Sequence, residues 1–182
     1  MRLLIHALFV LCVASSASLA GSTSPEAEAI ATYEAACLAS AIHQRAIPEW
    51  ARLNAVSVQN ASEYRNLVYG KFRNVWRTSR TTNRIYVTLD EKLACQVWYH
   101  SGNVSSAVEN FRRVMQQRRE LASSDATVEL FRDGEVAPGM YVLSYVIRFK
   151  GMDVGLMWSA YASANEVPSA VFYEAARVRL EP

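Results

Sequence analysis

The chain has 182 residues, of which 51% are hydrophobic and 20% are charged, and its formal net charge at pH 7 is +2. This size fits one domain with a hydrophobic core, and the hydrophobic content is too high for a disordered chain. The net charge is too small for a protein dedicated to nucleic acid, and the sequence has no motif that reads nucleic acid.

The first twenty residues have the pattern of a secretory signal peptide. One base, Arg2, precedes the apolar run Leu3–Ala14, and small residues lead up to Ala20. The apolar run is shorter than the roughly 20 residues that a membrane helix needs. We therefore expect residues 1–20 to be removed on export, although an N-terminal anchor is the alternative. Residues 21–182 are then expected to form a single periplasmic or secreted domain with no stable membrane span.

Export would leave two cysteines, Cys37 and Cys95, because Cys12 lies within the signal segment. An even number of cysteines is usually paired in an oxidising compartment. We therefore predict a Cys37–Cys95 disulfide, and closing so long a loop is worth about 4 kcal/mol in the chain-entropy description. Two buried thiols are the alternative.

Two helices are predicted before the first strand. Ser24 is a suitable N-cap and Pro25 fits the first turn, so the first helix begins there. Pro48 ends that helix near residues 45–47 and begins a second, short helix that reaches Val56. The apolar stripe of the first helix contains Ile30, Tyr33, Cys37 and Ala41.

A hairpin follows, formed by Lys71–Arg77 and Arg84–Leu89, which both alternate between apolar and polar residues. The polar segment Thr78–Asn83 connects the two strands. In the first strand, Phe72 and Trp76 are predicted to share one face.

A third strand is predicted over Leu93–Tyr99, with Leu93, Cys95, Val97 and Tyr99 on one face. The disulfide would place the first helix on that face. A central helix over Val104–Ala122 comes next. Four further strands separated by turns, one of them at Asp133-Gly134, complete the chain: Thr127–Arg132, Met140–Phe149, Asp153–Ser163 and Ala170–Leu180.

This order of elements predicts an α+β fold. We expect a largely antiparallel sheet, with an N-terminal hairpin plus strand and a C-terminal four-strand meander, covered by the N-terminal helix and the central helix. At the level of fold alone, the order resembles the curved sheets of NTF2-like and cystatin-like proteins, which serve many functions.

The sequence contains no motif of a catalytic or metal site. Neither His-x-x-x-His, Cys-x-x-Cys, Gly-x-Ser-x-Gly nor a glycine-rich phosphate loop occurs. We therefore expect no catalytic residue, no metal and no cofactor. The acids Asp90, Glu91, Asp153 and Glu174 keep open a hydrolase with dispersed carboxylates. Glu174 shares its strand side with apolar residues, and pairing with an arginine is the simpler interpretation.

The predicted hairpin is the most positively charged part of the chain, because residues 64–89 contain six bases and no acid. Tyrosine, phenylalanine and tryptophan are interleaved with those bases, and arginine and aromatic residues are enriched in protein interfaces. A solvated strand face is the alternative interpretation. The residues expected to bind a partner are Arg73, Arg77, Arg80, Arg84 and Tyr86.

Three functions follow from these observations. The leading hypothesis is an exported, non-enzymatic module that binds an envelope or secreted protein, such as an inhibitor, an immunity-type factor or an accessory part of an envelope assembly. The second is a carrier of a small apolar ligand, with a pocket between sheet and helices lined by residues such as Trp98, Tyr145 and Trp158. The third is the hydrolase.

Overall fold

A single antiparallel sheet of eight strands organises the protein, with the strand order β1-β2-β3-β4-β8-β7-β6-β5. The computed structural model describes residues 23–38, 46–66, 68, 71–163 and 169–180. The predicted signal peptide, and the end of the predicted helical stripe at Ala41, lie outside the described residues. The strands are β1 (Ala55–Ser57), β2 (Phe72–Thr78), β3 (Tyr86–Asp90), β4 (Cys95–Ser101), β5 (Ala126–Ala137), β6 (Met140–Phe149), β7 (Val154–Ser163) and β8 (Ser169–Arg179).

The described helices are α1 (Pro25–Tyr33), which continues as a π-helical turn over Glu34–Leu38, α2 (Ala46–Asn54), a 3₁₀ turn at Ala61–Glu63, and α3 (Val104–Glu120). The predicted α+β class, the hairpin, the meander and the covering by the first and central helices are confirmed. None of the described helices is both long and apolar enough to cross a membrane.

The predicted disulfide is present and joins the π-helical turn to β4. The Cα atoms of Cys37 and Cys95 are 5.5 Å apart, and 58 positions separate them in sequence. Ser24 caps α1 as predicted, because its side chain accepts a hydrogen bond from the N–H of Ala27 at 3.2 Å. The buried side of α1, which includes Tyr33, therefore lies against the same sheet face as Cys95.

One predicted face assignment is wrong because β2 contains a bulge. The pairing of β2 with β3 shifts between Phe72 and Asn74, so one extra residue reverses the alternation. Trp76 lies in the main core, whereas Phe72 packs on the opposite side of the sheet. Period-two patterns hold only while the register is continuous.

Three predicted boundaries are also corrected. Helix α2 begins at Ala46, before Pro48, and ends at Asn54. Ala55 and Val56, which were predicted to be helical, belong with Ser57 to the short strand β1. Leu93 is not part of the third strand but lies in the preceding turn with a φ of 66°. β5 continues through the predicted turn at Gly134, which adopts a φ of 151° that other residues rarely reach.

The helices cover one face of the sheet and form the main core with it. Phe111 of α3 is fully buried, and its ring stacks on that of Tyr173 with centroids 5.6 Å apart. Tyr33 of α1 is also fully buried and donates a hydrogen bond to the backbone carbonyl of Glu174 at 2.6 Å. We call this side the helix-covered face. The other side, whose hydrophobic cluster includes no residue of a described α-helix, we call the helix-free face.

Candidate functional site

A row of aromatic side chains crosses the helix-free face. Tyr86 of β3 lies opposite Trp98 of β4, Trp98 lies opposite Phe172 of β8, and Phe172 lies opposite Tyr161 of β7. Residues directly opposite each other on neighbouring strands have side chains on the same face, so these four form one line. We call them the aromatic row.

Three rings of the aromatic row, those of Trp98, Phe172 and Tyr161, form a continuous stack. The centroids of Trp98 and Phe172 are 4.2 Å apart, and those of Phe172 and Tyr161 are 4.3 Å apart, with interplanar angles of 20° and 13°. Offset stacking at these distances is a favoured aromatic geometry. The hydrophobic cluster on this face includes no residue from an α-helix in the described part of the chain.

An apolar pocket of about 480 Å³ lies at one end of the aromatic row. The described residues that line it carry no charge: Trp98, Met140, Tyr161, Ala162, Ser163, Ala170 and Phe172. Pockets of this size and character are typical of sites for small ligands. We call it the aromatic pocket.

A second row, of polar side chains, runs beside the aromatic row. Its members lie opposite one another across five strands: Thr88, Gln96, Glu174, Ser159 and Ser144. The Gln96 amide donates to the Glu174 carboxylate at 2.6 Å, and the Ser144 hydroxyl donates to that of Ser159 at 2.9 Å. The partner of Glu174 is therefore a glutamine, not the arginine that was the simpler expectation.

The carboxyl of Glu174 resists ionisation. Burial raises its pKa, and the negative charge of Asp90 adds to that effect, whereas the hydrogen bond from Gln96 opposes it. Asp90 itself accepts a hydrogen bond from the backbone N–H of Ala94 in the turn before β4. Glu174 does not line the aromatic pocket. Its hydrogen bond with Gln96 instead joins β8 to β4 beside the pocket.

The pocket lies on the other side of the sheet from the one predicted. Tyr145 and Trp158 belong to the main core under the helices. Trp98, the third predicted lining residue, does line the aromatic pocket. Alternation within β4 separates Trp98 from its neighbours Val97 and Tyr99, which face the helices.

Three of the five predicted partner-binding residues lie around Glu63, because Arg77 pairs with its carboxylate and Arg84 and Tyr86 line the same cleft as Glu63. Arg73 is exposed in the bulge of β2, and Arg77 forms an ion pair with Glu63 at 3.6 Å. Arg80 is exposed beside a cleft that includes Trp50 of α2, whereas Arg84 is exposed beside a cleft on the helix-free side.

Tyr86, the fifth predicted residue, is only 2% exposed. Its hydroxyl donates to the backbone carbonyl of Glu63 at 2.9 Å, and its ring packs against that of Tyr64. Tyr86 therefore holds the segment before β2 against the sheet.

Two of the acids considered for a hydrolase, Asp90 and Glu174, lie close enough for the charge of Asp90 to raise the pKa of Glu174. The other two, Glu91 and Asp153, lie exposed in turns. Within the described residues, no group of three or more histidine, cysteine, aspartate or glutamate side chains is placed to hold a metal ion.

Sequence reasoning missed Phe172, Tyr161, Met140 and Ala170 as site residues. The alternation of β8 does place Ala170 and Phe172 on one side, which was a usable signal. The register that brings them beside Trp98 joins strands far apart in sequence, and no local pattern encodes it. Comparisons with known protein families, curated proteins and solved structures find no match for this chain.

Proposed function

We propose that the protein is a non-enzymatic binding protein that takes up a small apolar ligand in the aromatic pocket. The observation that carries this proposal is a pocket of about 480 Å³ on the helix-free face whose described lining residues carry no charge. Removing apolar ligand surface from water is favourable by about 25 cal/mol per Å², and the stacked rings offer a rigid surface that loses little conformational entropy.

We further propose that the protein works in the periplasm or outside the cell. Its one described disulfide links two fully or almost fully buried cysteines and would persist only in an oxidising compartment. The signal-like segment at residues 1–20 supports the same compartment.

The test is titration of the purified, oxidised protein with the neutral hydrophobic dye Nile red, followed by dye fluorescence. We expect saturable binding of one dye per chain, weakened at least about tenfold in Phe172→Ala because that change removes the central ring of the stack. The matched control is Phe131→Ala, since Phe131 is 65% exposed and does not line the pocket.

Absence of saturable binding by the folded protein would overturn the proposal. An equal loss of affinity in Phe131→Ala would also overturn it, because the dye would then be reporting general surface hydrophobicity.

A second candidate is the binding of an envelope or secreted protein by the basic hairpin. The exposure of Arg73, Arg80 and Arg84 favours it, although these side chains point to no single surface. Arg73, Arg77 and Arg80 changed together to glutamate should release a partner captured by the unaltered protein. The control is Arg119→Glu, an exposed arginine on α3, and retention of the partner by the triple variant would exclude the hairpin.

A further inference from the structure

A polar cleft of about 270 Å³ adjoins the aromatic pocket. Two pairs of opposed residues connect them: Tyr86 of the cleft lies opposite Trp98 of the pocket, and His100 of the cleft lies opposite Ala170 of the pocket. The described residues that line the cleft are Ser62, Glu63, Tyr64, Asn66, Arg84, Tyr86 and His100.

The charged residues among those described in the cleft are Arg84 and Glu63. Arg84 is exposed there and forms no ion pair within the described part of the chain. The one acid, Glu63, is already paired with Arg77 at 3.6 Å. An anion is therefore the ligand that this set of side chains suits.

His100 supplies a second, independent indication. Its Nδ1 atom is buried and has no hydrogen-bond partner among the described residues. Buried polar atoms are nearly always paired, and His100 lines the cleft. A ligand that enters the cleft deeply enough to reach Nδ1 would supply the missing partner.

We propose that the protein binds an anionic amphiphile, with its apolar part in the aromatic pocket and its carboxylate or phosphate headgroup in the cleft at Arg84 and His100. This inference rests on the proposed function and adds the chemical class of the ligand. The division between the sites follows their linings, since no charged residue is among the described residues that line the aromatic pocket, whereas Arg84 lines the cleft.

The acids near these sites favour a different ligand. A cationic headgroup would meet Glu63 in the cleft, but that carboxylate is already paired with Arg77 at 3.6 Å. Glu174 lines neither site, and its carboxylate accepts from Gln96 at 2.6 Å. A cation would also approach Arg84 at the mouth of the cleft, which is unfavourable.

The experiment compares four ligands with the same twelve-carbon chain: dodecanoate, dodecyl phosphate, dodecanol and dodecylammonium. Each displaces Nile red from the oxidised protein at pH 7, below its micelle concentration. We expect the better of the two anions to bind at least about tenfold more tightly than dodecanol, and dodecylammonium to bind most weakly. Whichever anion binds more tightly identifies the headgroup.

Variants assign the headgroup to the cleft. Arg84→Gln should abolish the preference for the anion over dodecanol while leaving dodecanol affinity unchanged, and Arg84→Lys should retain part of the preference. Arg80→Gln is the matched control, because Arg80 is equally exposed but lies beside the other cleft.

Equal affinities for anion and alcohol, tightest binding of the ammonium, or an unchanged preference in Arg84→Gln would each overturn this inference while leaving the proposed function intact. Failure of all four ligands to displace bound Nile red would also overturn this inference, whereas absence of saturable Nile red binding would remove the proposed function.

Discussion

The two faces of the sheet differ in what covers them. On the helix-covered face, Phe111, Tyr33 and Tyr173 are fully buried and interlock with a disulfide-linked helix. On the helix-free face, the ring centroids of Phe172 and Tyr161 are even closer, at 4.3 Å, but both residues remain partly exposed. Close packing therefore does not by itself identify a core, because the second set of rings borders an open pocket.

This difference separates stability from binding. Truncation of a side chain on the helix-covered face removes packing contacts on all of its sides. A side chain of the aromatic row has fewer contacts to lose, because the side that borders the pocket has none. We expect changes on the first face to lower the free energy of unfolding, and changes on the second to act mainly on ligand affinity.

The largest expected effect is that of Phe111→Ala, which should lower the free energy of unfolding by up to about 5 kcal/mol. Phe172→Ala, the matched change on the helix-free face, should cost only about 1–2 kcal/mol because part of its ring is already in water. Urea unfolding of both variants measures the difference. Equal losses would mean that the two faces are one core.

Removal of the disulfide should have the next largest effect. Changing Cys37 and Cys95 together to alanine should cost about 4 kcal/mol, or roughly 10 °C in Tm. Because the bond lies on the helix-covered face, Nile red affinity at a temperature where the variant is folded should be unchanged. A loss of affinity there would show that the bond also shapes the pocket.

Glu28 of α1 should make the protein sensitive to acid. Burial alone would raise its pKa, but hydrogen bonds from the backbone of Asn83 and Thr82 and from two side chains lower the pKa to about 2. A lowered pKa stabilises the folded protein above the unfolded value of 4.5, and this stabilisation is lost as pH falls toward 2. Glu28→Gln should cost about 2 kcal/mol at pH 7 and flatten the acid limb of the stability curve.

The control for that change is Glu49→Gln, since Glu49 is exposed on α2. Thermal unfolding from pH 2 to pH 7 provides the measurement. An acid limb that persists in Glu28→Gln would assign the acid sensitivity to other groups.

Glu174 should give the smallest effect, with the opposite sign. Burial raises its pKa, so the folded protein loses stability as pH rises from the unfolded value of 4.5 through the raised pKa. Glu174→Gln should therefore stabilise the protein at pH 7, by about 1 kcal/mol or less, while keeping a group that accepts from Gln96. Glu91→Gln is the control, because Glu91 is exposed. A lower stability of Glu174→Gln at pH 7 would show that the charge of Glu174 stabilises the folded protein.

The side chains that form the helix-covered face could be predicted from sequence, because the pattern of neighbouring residues within each element determines which of them face the core. The stripe with Tyr33 and Cys37 and the alternation with Val97 and Tyr99 both predict which side chains face the core. The disulfide then relates one element to the other without any knowledge of the register.

The helix-free face could not be predicted in the same way. Its aromatic row depends on β4 pairing with β8, two strands about 70 residues apart in the chain. The bulge after Phe72 also reverses the alternation of apolar and polar residues in β2, so this alternation assigned Phe72 to the wrong face. Basic residues were the clearest signal in the sequence, but the structure distributes Arg80 and Arg84 between separate clefts.

The pairing of β4 with β8 also has a consequence for the order of assembly. The first four strands and both bridged cysteines precede residue 102, and the last four strands pair only with one another and with β4. The bridge between Cys37 and Cys95 therefore requires no residue after position 95, whereas the β4–β8 seam requires the last of the described strands. Because the aromatic row crosses this seam, the aromatic pocket is complete only after β4 and β8 have paired. Ligand binding therefore reports that the sheet has formed completely.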